Sequence, residues 1–100
     1  MPVVISLEWD GVTPEQYDDA HEKVNWEGDT PDGALLHVPW FADGAMHVTD
    51  VWDSAEQFER FVNERLMPGV QEIGIEGEPL VEINPLHRHV FAPGIDRVTA

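Results

Sequence analysis

Apolar and polar positions alternate through residues 3–9 (VVISLEW), with Ile5, Leu7 and Trp9 on one side and Ser6 and Glu8 on the other. A period of two built from β-branched and aromatic residues predicts a strand with one strongly apolar face. The period then changes: Tyr17, Ala20, His21 and Val24 recur at i, i+3, i+4 and i+7, the stripe of an amphipathic helix whose apolar side is buried. Thr13-Pro14-Glu15-Gln16 marks its start, with a hydroxyl at the N-cap, a proline at the first helical position and a glutamine at the third. That combination satisfies free amide donors in two ways.

Residues 25–33 (NWEGDTPDG) are turn chemistry and predict a surface connection, in which Trp26 is the odd member. Two strand-like runs follow, ALLHVPWF and AMHVTDVW, around the hairpin signal Asp43-Gly44. If those two residues form the turn, Trp40 lies opposite His47 and His37 opposite Asp50. A three-residue loop would put His37 opposite Thr49 and on one face with His47. Pro39 places the first of these strands at a sheet edge. A second helix is expected from Ser54-Ala55-Glu56-Gln57, another capping box, with Phe58, Phe61, Val62 and Leu66 at helical spacing. Pro68-Gly69 should break it, Val70 and Ile73 adding a short extra turn. A last strand is expected over residues 80–91 (LVEINPLHRHVF), with Val81, Ile83, Pro85, His87 and His89 on one face and Pro85 at an edge or bulge. Residues 1–94 then make one domain, and residues 95–100 a flexible tail.

The order β-α-β-β-α-β predicts an α+β, ferredoxin-like fold, a four-stranded antiparallel sheet with both helices on one face. Both alternating sets in the hairpin carry large apolar residues, Leu35 and Phe41 against Leu36 and Trp40. The face away from the helices is therefore expected to close on a second copy, giving a homodimer.

Composition narrows the function. Twenty acidic residues against five basic ones give a formal charge of −15, a surface that repels phosphate backbones and anionic lipid, so neither nucleic acid nor membrane is an expected partner. No apolar run approaches the roughly 18 residues of a membrane span, and the N-terminus lacks a secretion-signal layout, which predicts a cytoplasmic protein. With no cysteine, histidine and carboxylate are left as metal ligands or acid/base groups.

Four of the five histidines, His37, His47, His87 and His89, fall in strand-like stretches. Two positions apart on a strand, His87 and His89 would stand about 6.5 to 7 Å apart. They cannot easily share one metal ion, and no third ligand lies nearby in sequence, so no metal site is assigned. They are either solvated or subunit contacts, or His87 serves in acid/base work or substrate binding. His37 sits in an apolar strand, where a buried imidazole needs a polar partner. Asp50 would fix its tautomer and raise the basicity of the other ring nitrogen. A general base and a satisfied core histidine are the two readings of that pair. In a two-copy assembly the edge strand of His37 could approach the last strand of the other copy, bringing His37 and His87 together. Trp52 is either a core aromatic or a flat wall for an aromatic ligand, and Trp26 either a packing anchor or a cover for a pocket mouth.

The chain resembles the dimeric α+β barrel superfamily, which includes small antibiotic biosynthesis monooxygenase-like proteins. The resemblance rests on the element order, on the step Val51-Trp52-Asp53-Ser54 running into the helix SAEQFERFVNERL, and on the apolar surplus of the sheet; it covers about residues 3–91. It implies a pocket between helices and sheet in each subunit that takes a small aromatic or polyketide-like molecule. Trp52, the helix residues Tyr17, His21, Phe58 and Val62, and strand histidines such as His47 would line it. Some members bind haem; the haem-degrading ones pair the matching tryptophan with a helix histidine, where this chain has Val62, and carry an asparagine where it offers Ser6 or Glu8. The quinone-forming members use Asn, Tyr, Trp and Arg, and Tyr17 is the single tyrosine here. No nucleotide-binding glycine motif is present. The expectation is cofactor-independent oxygenation or cyclisation of a hydrophobic metabolite of secondary metabolism, with His37, Asp50 and His87 as catalytic residues. A haem- or divalent-metal-binding dimer and a non-catalytic ligand-binding dimer are the alternatives.

Overall fold

The computed structural model describes residues 1–97. Strand β1 (Val3–Asp10) sits inside a four-stranded antiparallel sheet of order β2-β3-β1-β4, with β2 (Ala34–Ala42) and β4 (Leu80–Pro85) at the edges and β3 (Ala45–Trp52) beside β1. Both prolines expected at edges, Pro39 and Pro85, lie on these outer strands, where a missing N–H costs no ladder bond on the outer side. The β2-β3 hairpin takes the two-residue register: Trp40 pairs with His47 and His37 with Asp50. Asp43 (φ 53°) and Gly44 (φ 75°) both adopt left-handed backbone, the geometry that matches the twist of the flanking strands. A bulge between Ala34 and Leu36 ends the regular pairing at the other end of β2.

Helix α1 (Pro14–Val24) has the full reciprocal cap: Gln16 N–H donates to Thr13 Oγ1 at 3.1 Å and Thr13 N–H donates to Gln16 Oε1 at 3.0 Å. It ends where Asn25 turns left-handed. The second cap is half of the expected box, since Ser54 Oγ accepts from Gln57 N–H but gives its own proton to Gln57 Oε1, leaving the Ser54 backbone amide out of the exchange.

Pro68-Gly69 does not break the second helix. α2 (Ala55–Phe61) passes through a π-helical turn (Val62–Leu66) into α3 (Met67–Ile73), with Met67 N–H donating to Val62 O, five residues back. The wider turn resets the hydrogen-bond ladder so that Pro68 falls in the first turn of α3, where its missing N–H has no partner to lose.

The last strand stops at Pro85 rather than continuing to residue 91, so His87 and His89 are not strand residues. Val3, the first residue of β1, pairs with Pro85, and one further bond, Leu86 N–H to Pro2 O, follows. Of the expected tail, residues 95–97 form a 3₁₀ turn, and residues 98–100 lie outside the described part.

The helices cover one sheet face. Val3, Ile5, Leu7 and Trp9 of β1 are buried there with Trp52, Phe58, Phe61 and Val70. The opposite face carries Leu36, Val38, Trp40, Val51 and Leu80 by strand alternation. Trp40 is 45% and Leu80 71% exposed.

Candidate active site

Between helices and sheet lies a cavity of about 80 Å³. Most of its wall is apolar, supplied by residues such as Leu7, Met46, Val48, Phe61, Leu66 and Val70, while its polar groups, Tyr17, His21, His37 and Asp50, meet at one end. Strand alternation and the hairpin register bring them together. Helix-facing positions on β3 are Met46, Val48, Asp50 and Trp52, and Asp50 stands opposite helix-facing His37 on β2. Helix α1 presents Tyr17 and His21, one turn apart, to the same spot.

The hydrogen bonds there run in one direction. Both oxygens of the buried Asp50 are engaged: Trp52 Nε1–H donates to Oδ2 at 3.1 Å, and His37 Nδ1 lies 2.7 Å from Oδ1. A carboxylate only accepts, so the His37 proton is on Nδ1 and Nε2 of the neutral ring is free to accept. Tyr17 Oη, 2.7 Å from that Nε2, donates to it. The phenol oxygen also lies 3.3 Å from His21 Nδ1, and His21 Nε2 lies 3.7 Å from Glu27 Oε1. The rings of Tyr17 and His37 stack at 5.9 Å and 16°, those of His21 and His37 at 6.1 Å and 6°. Burial first, then the negative charges of Asp50, Asp18 and Glu27, push the Tyr17 hydroxyl up to about 12. It therefore rests as a neutral phenol and a donor.

Trp26 lines the same cavity and packs on the neighbouring core cluster. Its ring lies 5.0 Å from that of His37 and meets Trp52 and Phe61 edge-on at 5.6 and 5.8 Å. Its loop is tied down by Arg65, which donates to Val24 O and Asp29 O at 2.6 and 2.7 Å.

Of the residues expected at a site, His37, Asp50, Tyr17, His21 and Phe58 line this cavity. Trp52 does not form its wall: it is fully buried, and its indole N–H holds Asp50. Val62 packs at the margin of the neighbouring core cluster. His47 lies on the other sheet face, stacked on Trp40 at 5.3 Å with Glu8 Oε1 3.4 Å from its Nδ1. His87 is exposed beyond β4, away from the other site residues of its own chain. What the sequence did not reveal is the bond from Tyr17 to His37; the available signal was the i, i+4 spacing of Tyr17 and His21. Among the described residues no three His, Cys, Asp or Glu side chains converge as metal ligands. The cavity is smaller than the ~150 Å³ that holds benzene.

A four-stranded antiparallel sheet with its helices on one face is a ferredoxin-like α+β fold. The chain shares the fold of the dimeric α+β barrel superfamily and its antibiotic biosynthesis monooxygenase-like members. It is similar to SnoaB, a cofactor-independent oxygenase from Streptomyces nogalater (mutant N63A), with a TM-score of 0.64 and 12% identity over 89% of this chain and 96% of that one. It is also similar to NE2512, a protein of unknown function from Nitrosomonas europaea, at TM-score 0.66 and 12% identity over 93% and 96% of the two chains. A Caulobacter crescentus protein described as an antibiotic biosynthesis monooxygenase matches at TM-score 0.61 and 13% identity, over 87% of this chain and 91% of that one. No family profile and no curated protein matches the sequence. No helix among the described residues is long and apolar enough to cross a membrane.

Proposed function

We propose that the protein is a homodimeric, cofactor-independent oxygenase or cyclase acting on a small hydrophobic phenol or enol, with His37 as general base. The observation that carries this reading is the chain Asp50–His37–Tyr17 at the polar end of an apolar cavity. Asp50 holds the imidazole with its basic nitrogen toward the cavity, and Tyr17 stands on that nitrogen. A substrate hydroxyl that reaches Tyr17 Oη gives up its proton as the Tyr17 proton moves to His37 Nε2, so the base acts through the phenol. The Asp50 carboxylate stabilises the imidazolium formed. Loss of the proton leaves an electron-rich phenolate or enolate, the form that reacts with dioxygen or closes a ring on its own carbon chain. Likeness to a cofactor-independent oxygenase supports the reaction class. The apolar open sheet face supports the second copy.

The test is oxygen uptake and product formation over a panel of phenols and enols, in wild type and His37→Asn. General-base catalysis contributes about 10² to 10⁴-fold, and a loss of kcat in that range is the expected result. Equal turnover in the two proteins would reject the role of His37.

A further inference from the structure

We propose that His21 is the proton-release residue of this site, passing the proton collected at His37 through the Tyr17 hydroxyl to Glu27 and solvent. The inference rests on the base role of His37 and supplies what that role lacks. A base that has taken a proton must give it up before the next turnover, and the hydrogen-bonded route from His37 toward solvent runs along one line. Its Nδ1 is bonded to Asp50, and the far oxygen of Asp50 is capped by the Trp52 N–H. Trp26 lies over the ring. The polar continuation that remains is Nε2 to Tyr17 Oη at 2.7 Å and Tyr17 Oη to His21 Nδ1 at 3.3 Å.

Exposure rises along this line. The side chains of Asp50 and His37 are 7% and 18% exposed, that of His21 28%, and that of Glu27 87%. The chain thus begins in the core and ends in water. The proton moves as follows. His37 Nε2–H is lost to Tyr17 Oη as the Tyr17 proton turns toward His21 Nδ1, with His21 in its Nε2–H tautomer. The resulting His21 imidazolium loses its Nε2 proton to the Glu27 carboxylate or to water, and a flip of the ring resets it. No electron pair changes owner beyond these N–H and O–H bonds. The titratable groups that meet His21 are Tyr17 from its own helix, Glu27 from the loop after it and His37, backed by Asp50, from the hairpin. Tyr17, with its hydroxyl raised to about 12, returns to the neutral phenol after each transfer.

Two measurements test this, one independent of turnover. In protein labelled with ¹⁵N-histidine and acidified until the His37 imidazolium is observed, exchange of its Nε2 proton with solvent is followed in wild type, His21→Phe, His21→Gln and the remote control His89→Gln. Both His21 variants are expected to slow that exchange by about tenfold or more, a fraction of the usual acid/base contribution, with His89→Gln at the wild-type rate. Unchanged exchange in either folded His21 variant overturns the relay, whether or not a substrate has been found. Where turnover is measurable, His21→Gln should lower kcat with KM retained, and added imidazole should restore it. Slowed exchange together with full activity in His37→Asn would leave the relay standing and the proposed reaction rejected.

Discussion

Replacing Asp50 with asparagine changes one atom and should reverse the direction of the whole hydrogen-bond line. Both carboxylate oxygens accept, from Trp52 Nε1–H at 3.1 Å and His37 Nδ1–H at 2.7 Å, whereas an amide has one accepting oxygen. The indole has no other protonation state, so the amide oxygen must face Trp52 and its NH₂ must face His37. That forces His37 into the tautomer with its proton on Nε2, where it meets the Tyr17 hydroxyl, and the phenol must turn to His21. A hydrogen bond to a charged group, about 1.5 to 3 kcal/mol, is replaced by a neutral one of about 0.5 to 1.5. The expected destabilisation is therefore about 1 to 2 kcal/mol, or a Tm lower by roughly 5 to 15 °C for a domain of this size. Since the base nitrogen is then already protonated, kcat should fall by the whole general-base contribution, about 10² to 10⁴-fold. Thermal unfolding gives the stability, and ¹⁵N shifts of the His37 ring give the tautomer. An Asp50→Asn protein within about 0.5 kcal/mol of wild type, still carrying its His37 proton on Nδ1, would refute this account of the site.

Three other outcomes are expected. The cavity of about 80 Å³ is smaller than the ~150 Å³ that holds benzene, so a wall side chain must move for a ring to bind, and Trp26, on the loop after α1, is the expected one. Trp26→Ala should raise the stopped-flow association rate of phenol, and an unchanged rate would remove Trp26 from the access path. Tyr17 has its hydroxyl raised from 10.0 to about 12; its contribution to stability is complete below pH 10 and lost as pH rises through 12, because the unfolded chain ionises first. A Tyr17→Phe protein should lack that increment of alkaline loss in pH-dependent urea melts, and parallel curves for the two proteins would contradict the shift. On the open sheet face, Trp40→Glu should push the assembly toward single copies in sedimentation equilibrium, and a wild type already single at micromolar concentration would dispose of the dimer.

How far the chain can be read without coordinates depends on where the deciding interactions lie. The cross-strand pair His37 and Asp50 was legible because Asp43-Gly44 prefers a two-residue turn, and the turn fixes the register of everything behind it. Which of two registers held was settled by backbone that tolerates left-handed geometry at both positions. The union of that pair with Tyr17 was not legible, since it depends on where α1 crosses β2, and no local pattern encodes a crossing. Alternation misled at residues 86–91, where the pattern of a strand persists but the ladder with β1 ends at the Val3–Pro85 pair. Pro68 misled for a related reason. A proline rule assumes an α-helical ladder, and the preceding turn has a different one.

That widened turn also says something about length. An uninterrupted α-helix advances about 100° per residue, and the wider turn takes up one residue more than an α turn, so dropping one residue from 62–66 would let the ladder regularise and leave the residues after it on their present faces. Val70, 3% exposed, would stay against the chamber, but Pro68 would meet the carbonyl four residues back with no slack to avoid it. Sequences that share this chamber should therefore keep the count of residues between Phe61 and Met67 even where they replace every side chain in it. At that point of the backbone, spacing constrains the chain more than chemical identity does.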